Sequence, residues 1–210
     1  MDFQRIVAIY GSPRRRGNTA TLLKQAVAGA RDAGAQVEEI VLRDLKLSAC
    51  LELYHCERDG ECCIHDDFQR VRHLVLSSAG LMLASPIFYY TVSAHTKILM
   101  DRFHSLWIRK NRVDPDRGLA PKTRRKGLFI SAGATHGRRL FDGTLLSMRY
   151  FFDTLDMDLW KSLLYRGLDH EGEVQDHPDY LAEAYQAGRE LADALRIEIA
   201  APEPAHEDGR

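Results

Sequence analysis

Apolar positions along the chain follow two rhythms that take turns. Arg5 to Tyr10 is a short continuous apolar run ending at Gly11, the pattern of a strand buried on both faces. Asn18 then offers a helix N-cap, and Leu22, Leu23, Ala26, Val27 and Ala30 recur on one helical face until Gly34 stops the pattern. Val37 to Leu42 alternates and is rich in strand-forming residues. Asp66 or Asp67 is placed to cap a helix carrying Phe68, Val71, Leu74 and Val75, and Leu81 to Ala84 is another apolar strand. The helix after Ser93 is expected to bury Ile98, Leu99 and Phe103. Lys126 to Ala132 predicts a fourth strand, the region of Leu145 to Leu155 a helix, Leu159 to Tyr165 a fifth strand, and Tyr180 to Ile197 a closing helix.

Strands alternating with helices predict an α/β fold, a parallel sheet covered on both faces, with ligands bound beyond the C-terminal strand ends. Residues just after each strand therefore matter most. Three segments depart from the alternation: Leu47 to His65, which holds all the cysteines, the long Arg/Lys-bearing connection His104 to Arg125, and a Pro/Glu-rich tail from Ala200 to Arg210 that is expected to be disordered. The 210 residues fit a single domain over residues 1–199.

A hydrophobic fraction of 45% and a net charge of -1 exclude whole-chain disorder and leave no global field for tracking nucleic acid. Leu74 to Ala94 lacks charge, but its serines, glycine and proline favour a buried strand between helices over a membrane span. Met1 to Arg5 has no secretory character, and the four cysteines follow no disulfide-scaffold rhythm, so a reducing, cytoplasmic setting is expected.

Gly11-Ser12-Pro13-Arg14-Arg15-Arg16-Gly17-Asn18-Thr19 follows the first strand and opens a helix. Unpaired amides and the positive dipole end of a helix N-terminus suit a phosphate, and the short polar side chains add donors. A Walker loop is excluded by the missing Lys-Ser/Thr pair, and GxGxxG does not match. On these residues alone, simple capping of a turn and helix is an equal alternative.

The stretch GSPRRRGNTATLL resembles the phosphate loop of flavodoxin-like NAD(P)H-dependent FMN reductases. After the third strand, Ala84-Ser85-Pro86-Ile87-Phe88-Tyr89-Tyr90-Thr91-Val92-Ser93-Ala94-His95-Thr96-Lys97 resembles that family's flavin loop, with Asp101 and Arg102 continuing the pattern. The resemblance implies a flavodoxin-like three-layer sandwich with a parallel sheet in the order 2-1-3-4-5. It also implies that Ser12, Arg14, Asn18 and Thr19 hold the FMN phosphate and that Pro86, Ile87, Phe88 and Tyr89 line the isoalloxazine. Independently, a flat apolar ring needs a concave apolar wall with a few fixed donors, and a loop with consecutive aromatics cannot turn all of them inward. Ser131-Ala132-Gly133-Ala134-Thr135-His136-Gly137, after the fourth strand, lets backbone approach a ligand at Gly133 and Ala134; a structural turn with a solvated histidine is the alternative. Tyr90 is bulky where relatives often carry a small residue.

The segment from Ala49 to Asp67 resembles one in iron-sulfur flavoproteins, where a four-iron cluster is held by cysteines. Cys50, Cys56 and Cys62 match three ligand positions, Leu53 stands at the fourth, and Cys63 is extra. A cubane wants four thiolates, so no cluster and no other metal is expected, although Cys63 or His55 as a substitute stays open. The resemblance implies an FMN-dependent oxidoreductase taking hydride from NADPH or NADH and passing it to a quinone, free flavin or other small acceptor, with Tyr89 and His136 orienting that acceptor. It also implies a homodimer or homotetramer. The alternative is an electron-transfer flavoprotein serving a redox partner, which the near-neutral charge disfavours.

Overall fold

The computed structural model describes residues 2–115 and 125–200. Five parallel strands form: β1 (Asp2–Tyr10), β2 (Gln36–Val41), β3 (Ser78–Pro86), β4 (Lys126–Gly133) and β5 (Asp158–Arg166). Their order is β2-β1-β3-β4-β5, the doubly wound order that the motif resemblance implies. Alternation along the strands divides the core. Ile6, Ala8 and Tyr10 of β1, with Met82 and Ala84 of β3, pack under α1 (Asn18–Asp32) and α7 (Pro178–Ala200). Val7, Ile9, Leu81 and Leu83 point the other way, against α3 (Phe68–Ser77), α4 (Ala94–Arg102) and α6 (Asp142–Thr154). Both faces being covered explains why β1, β3 and β4 read as unbroken apolar runs.

β1, β3, β4 and β5 exceed the stretches that announced them, because backbone pairing continues into flanking polar residues such as Ser78 and Ser85, whereas β2 starts one residue early and ends before Leu42, which enters a 3-10 turn. Two irregular segments contain short helices without an apolar stripe: α2 (Cys56–Asp59) in the cysteine segment, and α5 (His104–Ile108) followed by a π-helical turn over Arg109–Val113. Ala200 closes α7, and the rest of the expected tail lies outside the described residues, as do residues 116–124 of the long connection. Among the described residues no helix is long and apolar enough to cross a membrane.

Two fully buried arginines pin the irregular segments. The Arg102 guanidinium at the end of α4 donates to the Ser48 carbonyl at 2.9 Å, the Asp66 carboxylate at 2.7 Å, the Ile64 carbonyl at 2.8 Å and Cys62 Sγ at 3.2 Å, and it lies over the Phe68 ring. One cation thus organises residues 48–66, none of whose hydrophobic side chains is fully buried. Asp66 also receives the N–H of Ser48 and of Phe68, so its side chain closes the start of α3 while Asp67 occupies the N-cap position without a side-chain cap bond. Burial raises the Asp66 pKa, but hydrogen bonds from Arg102, Ser48 and Phe68 outweigh it and hold the carboxyl below its usual range. Arg125 donates to the carbonyls of Ser78, Val75 and Leu155, and burial pushes its pKa down to about 10, leaving it charged at neutral pH.

Arg102→Met leaves the half-buried Asp66 carboxylate without its cation and the Ser48 and Ile64 carbonyls without a donor, a loss of about 1–3 kcal/mol. Denaturant unfolding should show it, with faster proteolysis within residues 48–66. Because the folded-state pKa of Asp66 is depressed, its stabilisation is complete above the unfolded carboxylate pKa and is lost as pH falls through the folded value. Asp66→Asn should therefore lose stability at neutral pH and flatten the acid limb.

Candidate functional site

The C-terminal ends of β1, β3 and β4 are tied together by hydroxyl groups. Ser93 Oγ donates to the Gly11 carbonyl at 2.5 Å, accepts from the Thr96 N–H at the start of α4, and lies 3.1 Å from Thr96 Oγ1. The Ser93 N–H donates to Ser85 Oγ, while Ser131 Oγ donates to the Ser85 carbonyl. Gly11 N–H reaches across to the Ala84 carbonyl at 2.7 Å. This crossing leaves no room at Gly11: a Cβ there would stand 2.1 Å from Thr96 Oγ1 and 2.8 Å from the Ala84 oxygen.

Above this seam the phosphate-type loop enters α1. Gly17 occupies the N-cap position and has no side chain to close the first turn, so the leading amides of a fifteen-residue helix keep their positive end open. Ser12 Oγ accepts from the Arg14 N–H at 3.1 Å, and a Cβ on Gly17 would come within 2.7 Å of that same oxygen. Asn18 and Thr19 are buried at the base. Asn18 does not cap the helix. It is the first helical residue, and its side chain reaches the loop between β5 and α7, donating to the His170 carbonyl at 2.9 Å and accepting from the Val174 N–H at 3.2 Å.

The opposite wall follows β3. Ile87 N–H donates to the Ala132 carbonyl, and Phe88 and Thr91 exchange both backbone hydrogen bonds around a two-residue turn. Tyr89 and Tyr90 hold φ of 51° and 62°, a left-handed pair normally filled by Asn-Gly. Strain of this kind concentrates at functional sites. Tyr89 is 100% exposed and Phe88 and Tyr90 are about half exposed, so the turn lifts its aromatic rings into solvent beside the cleft.

One cleft of about 180 Å³ is lined by Ser12, Arg14, Asn18, Thr19, Pro86, Ile87, Phe88, Gly133 and Ala134 together. Tyr89 and His136 are not among its lining residues; the ring of His136 packs against Gly167 instead. Leu168 and Asp169 also line the cleft and were missed in the sequence. Their position after β5 was a usable signal, by the rule that strand ends carry the ligand. A roomier cavity of about 520 Å³ lies beside α4, α5, α6 and the cysteine segment, but its lining joins apolar Met100, Phe103, Trp107 and Phe151 to the carboxylates of Glu52 and Asp101, which oppose an anion.

A family profile described as NADPH-dependent FMN reductase matches residues 4–158. The chain belongs to this family. Among curated relatives, an iron-sulfur flavoprotein of Methanocaldococcus jannaschii is 36% identical over 104 residues, covering 50% of this chain and 54% of that protein. The chain spans about half the length of the curated relatives it matches. A solved flavone reductase superposes with a TM-score of 0.65 at 23% identity, covering 95% of this chain and 66% of the other. The NAD(P)H:quinone oxidoreductase of Methanothermobacter marburgensis gives 0.64 at 17%, covering 89% and 98%. Both likenesses show the flavodoxin-like fold.

For FMN the residues fit: the loop ends in an uncapped helix, two glycine positions admit no Cβ without displacement of a neighbour, and the facing wall is apolar. For an iron-sulfur cluster they do not. Cys50, Cys56, Cys62 and Cys63 are free thiols around a small pocket of about 50 Å³ with His55 and His104. The Arg102 guanidinium donates to Cys62 Sγ at 3.2 Å, which favours the thiolate at that one cysteine, whereas burial raises the Cys56 thiol and opposes it there. Among the described residues, no group of three or more His, Cys, Asp or Glu is placed to hold a metal ion.

Gly11→Ala is expected to destabilise the protein by about 1–3 kcal/mol through overpacking, read as a lower denaturant midpoint. Tyr89→Asn combined with Tyr90→Gly relieves the left-handed pair and should stabilise the fold by about 1–2 kcal/mol, read by thermal unfolding.

Proposed function

We propose that the chain is an FMN-dependent oxidoreductase that takes reducing equivalents from NADPH or NADH and delivers them to a small electrophilic acceptor such as a quinone or free flavin. The carrying observation is the convergence on one cleft of an uncapped helix N-terminus, an apolar wall after β3 and the Gly133–Ala134 backbone after β4. In this reading Ser12, Arg14, Asn18 and Thr19 hold the phosphate, Pro86, Ile87 and Phe88 form one wall for the ring, and Gly133 and Ala134 approach its edge. The chemistry that bound FMN supplies is acceptance of hydride from a nicotinamide and its return to an acceptor.

Tyr89, on its raised turn, and His136, in the loop after β4, are assigned to orienting the acceptor. Neither needs to transfer a proton for the cofactor's chemistry to run. Tyr90 faces outward with its carbonyl held by Thr144 Oγ1 at 3.3 Å, so its bulk reshapes the entrance rather than the base of the cleft. A homodimer or homotetramer completes the proposal: Leu51, Leu53, Tyr54, Trp107, Leu146 and Tyr150 are large apolar side chains left exposed, the kind of surface a second copy covers. The free thiols suit a reducing compartment such as the cytoplasm.

The test is anaerobic absorption spectroscopy of the protein with FMN, followed by NADH and then NADPH. A bound flavin that bleaches with a pyridine nucleotide and recovers with a quinone supports the proposal; a protein that leaves FMN unbound defeats it. Asn18→Asp removes a donor and adds a negative charge at the base of the loop. It should weaken FMN binding at least about tenfold, the scale of one lost charge-assisted bond.

A further inference from the structure

The loop from β5 to α7 is built around one carboxylate. Glu173, in a short 3-10 turn (Glu173–Asp176), accepts the N–H of Asp169 at 2.6 Å and the N–H of His170 at 3.0 Å on a single oxygen, Oε2. These backbone bonds hold its pKa below the usual glutamate range. All described peptide bonds are trans, and in a trans peptide the C=O and N–H point opposite ways. By taking the His170 N–H, Glu173 therefore turns the Asp169 carbonyl away from itself. That carbonyl accepts from Arg14 Nη1 at 2.9 Å, and the next one, of His170, accepts from Asn18 Nδ2 at 2.9 Å.

The two partners are the side chains of the phosphate loop. The Val174 N–H, one residue beyond Glu173, donates to Asn18 Oδ1, so the amide of Asn18 has one orientation: its acceptor oxygen is used by the protein and one Nδ2 hydrogen remains over. Arg14 likewise commits one donor to Asp169 and keeps the rest of its fork. Leu168 N–H anchors the near end of the loop to the Gly133 carbonyl, and Val174 is fully buried at the far end.

We infer that Glu173 is a positioning residue for phosphate capture: it shapes the β5–α7 loop so that its carbonyls set Arg14 and Asn18 as donors to the FMN phosphate. This assignment rests on the flavin reading above. It goes against simple electrostatics, which makes an acidic residue beside a phosphate site unfavourable.

That opposition supplies the test. FMN and riboflavin affinities are measured by fluorescence titration of the full chain and of Glu173→Ala, Glu173→Gln and Glu171→Ala, with thermal unfolding as the check on folding. Both alanine variants remove one negative charge from the same loop, but only Glu173 accepts the Asp169 and His170 N–H groups among the described residues. Glu173→Ala should weaken FMN about tenfold and riboflavin less than about twofold, since riboflavin lacks the phosphate that the positioned donors meet. Glu173→Gln, which keeps an acceptor oxygen, should recover part of the loss, and Glu171→Ala should leave FMN unchanged or slightly tighter. FMN binding that is unchanged or tighter in Glu173→Ala overturns the assignment. So does an equal loss for FMN and riboflavin, which would make the residue structural only. A wild-type chain that binds neither flavin overturns the flavin reading itself.

Discussion

The hydroxyl of Ser93 stands where the first and third strands release their loops, and the site depends on what it holds. It binds the carbonyl of Gly11, caps α4 through Thr96, and its own amide is held by Ser85, whose carbonyl in turn receives Ser131 of the neighbouring strand. A parallel sheet needs nothing of the kind for stability, since strand pairing and the two apolar layers already provide it. What the seam adds is register between loops more than 70 residues apart, Gly11 and Ser93 being 82 residues apart in sequence. Buried hydroxyls with every bond satisfied are rigid because an unpaired one is costly to bury.

From that fixed floor the cleft acquires two unlike sides. One is an open helix N-terminus with small polar side chains, suited to a dianion; the other is a proline, an isoleucine and the first ring of a strained aromatic turn. Polarity divided in this way matches a ligand that is a phosphate at one end and a flat ring at the other. The cysteine segment is a separate construction. Arg102 holds it by its carbonyls, Asp66 and Cys62 Sγ, and the four thiols line a small pocket beside it.

Much of this was legible in sequence where the cause is local. Apolar runs or alternation announced each strand, and the loop residues from Ser12 to Thr19 and from Pro86 to Phe88 stand out as candidates because glycine, short polar residues and aromatics follow a strand there. Asn18 shows where such reading stops. A capping residue type at a helix start suggested a local bond, but its partners lie 152 and 156 residues away. Leu168, Asp169 and Glu173 were passed over because the loop has no periodicity and its acids resemble a solvated surface. Tyr89 was placed in the ring wall, whereas a two-residue left-handed turn lifts it out of the cleft; backbone sign at a tyrosine is not written in its residue type.

The most direct measurement is the phosphorus-31 NMR spectrum of FMN added to the protein, followed across pH. A bound phosphate held by helix amides, Arg14 and Asn18 should give a separate resonance whose position stays constant through pH of about 6, where a free phosphate monoester titrates. A single resonance that titrates like free FMN would contradict the claim that this cleft is a phosphate-anchored flavin site.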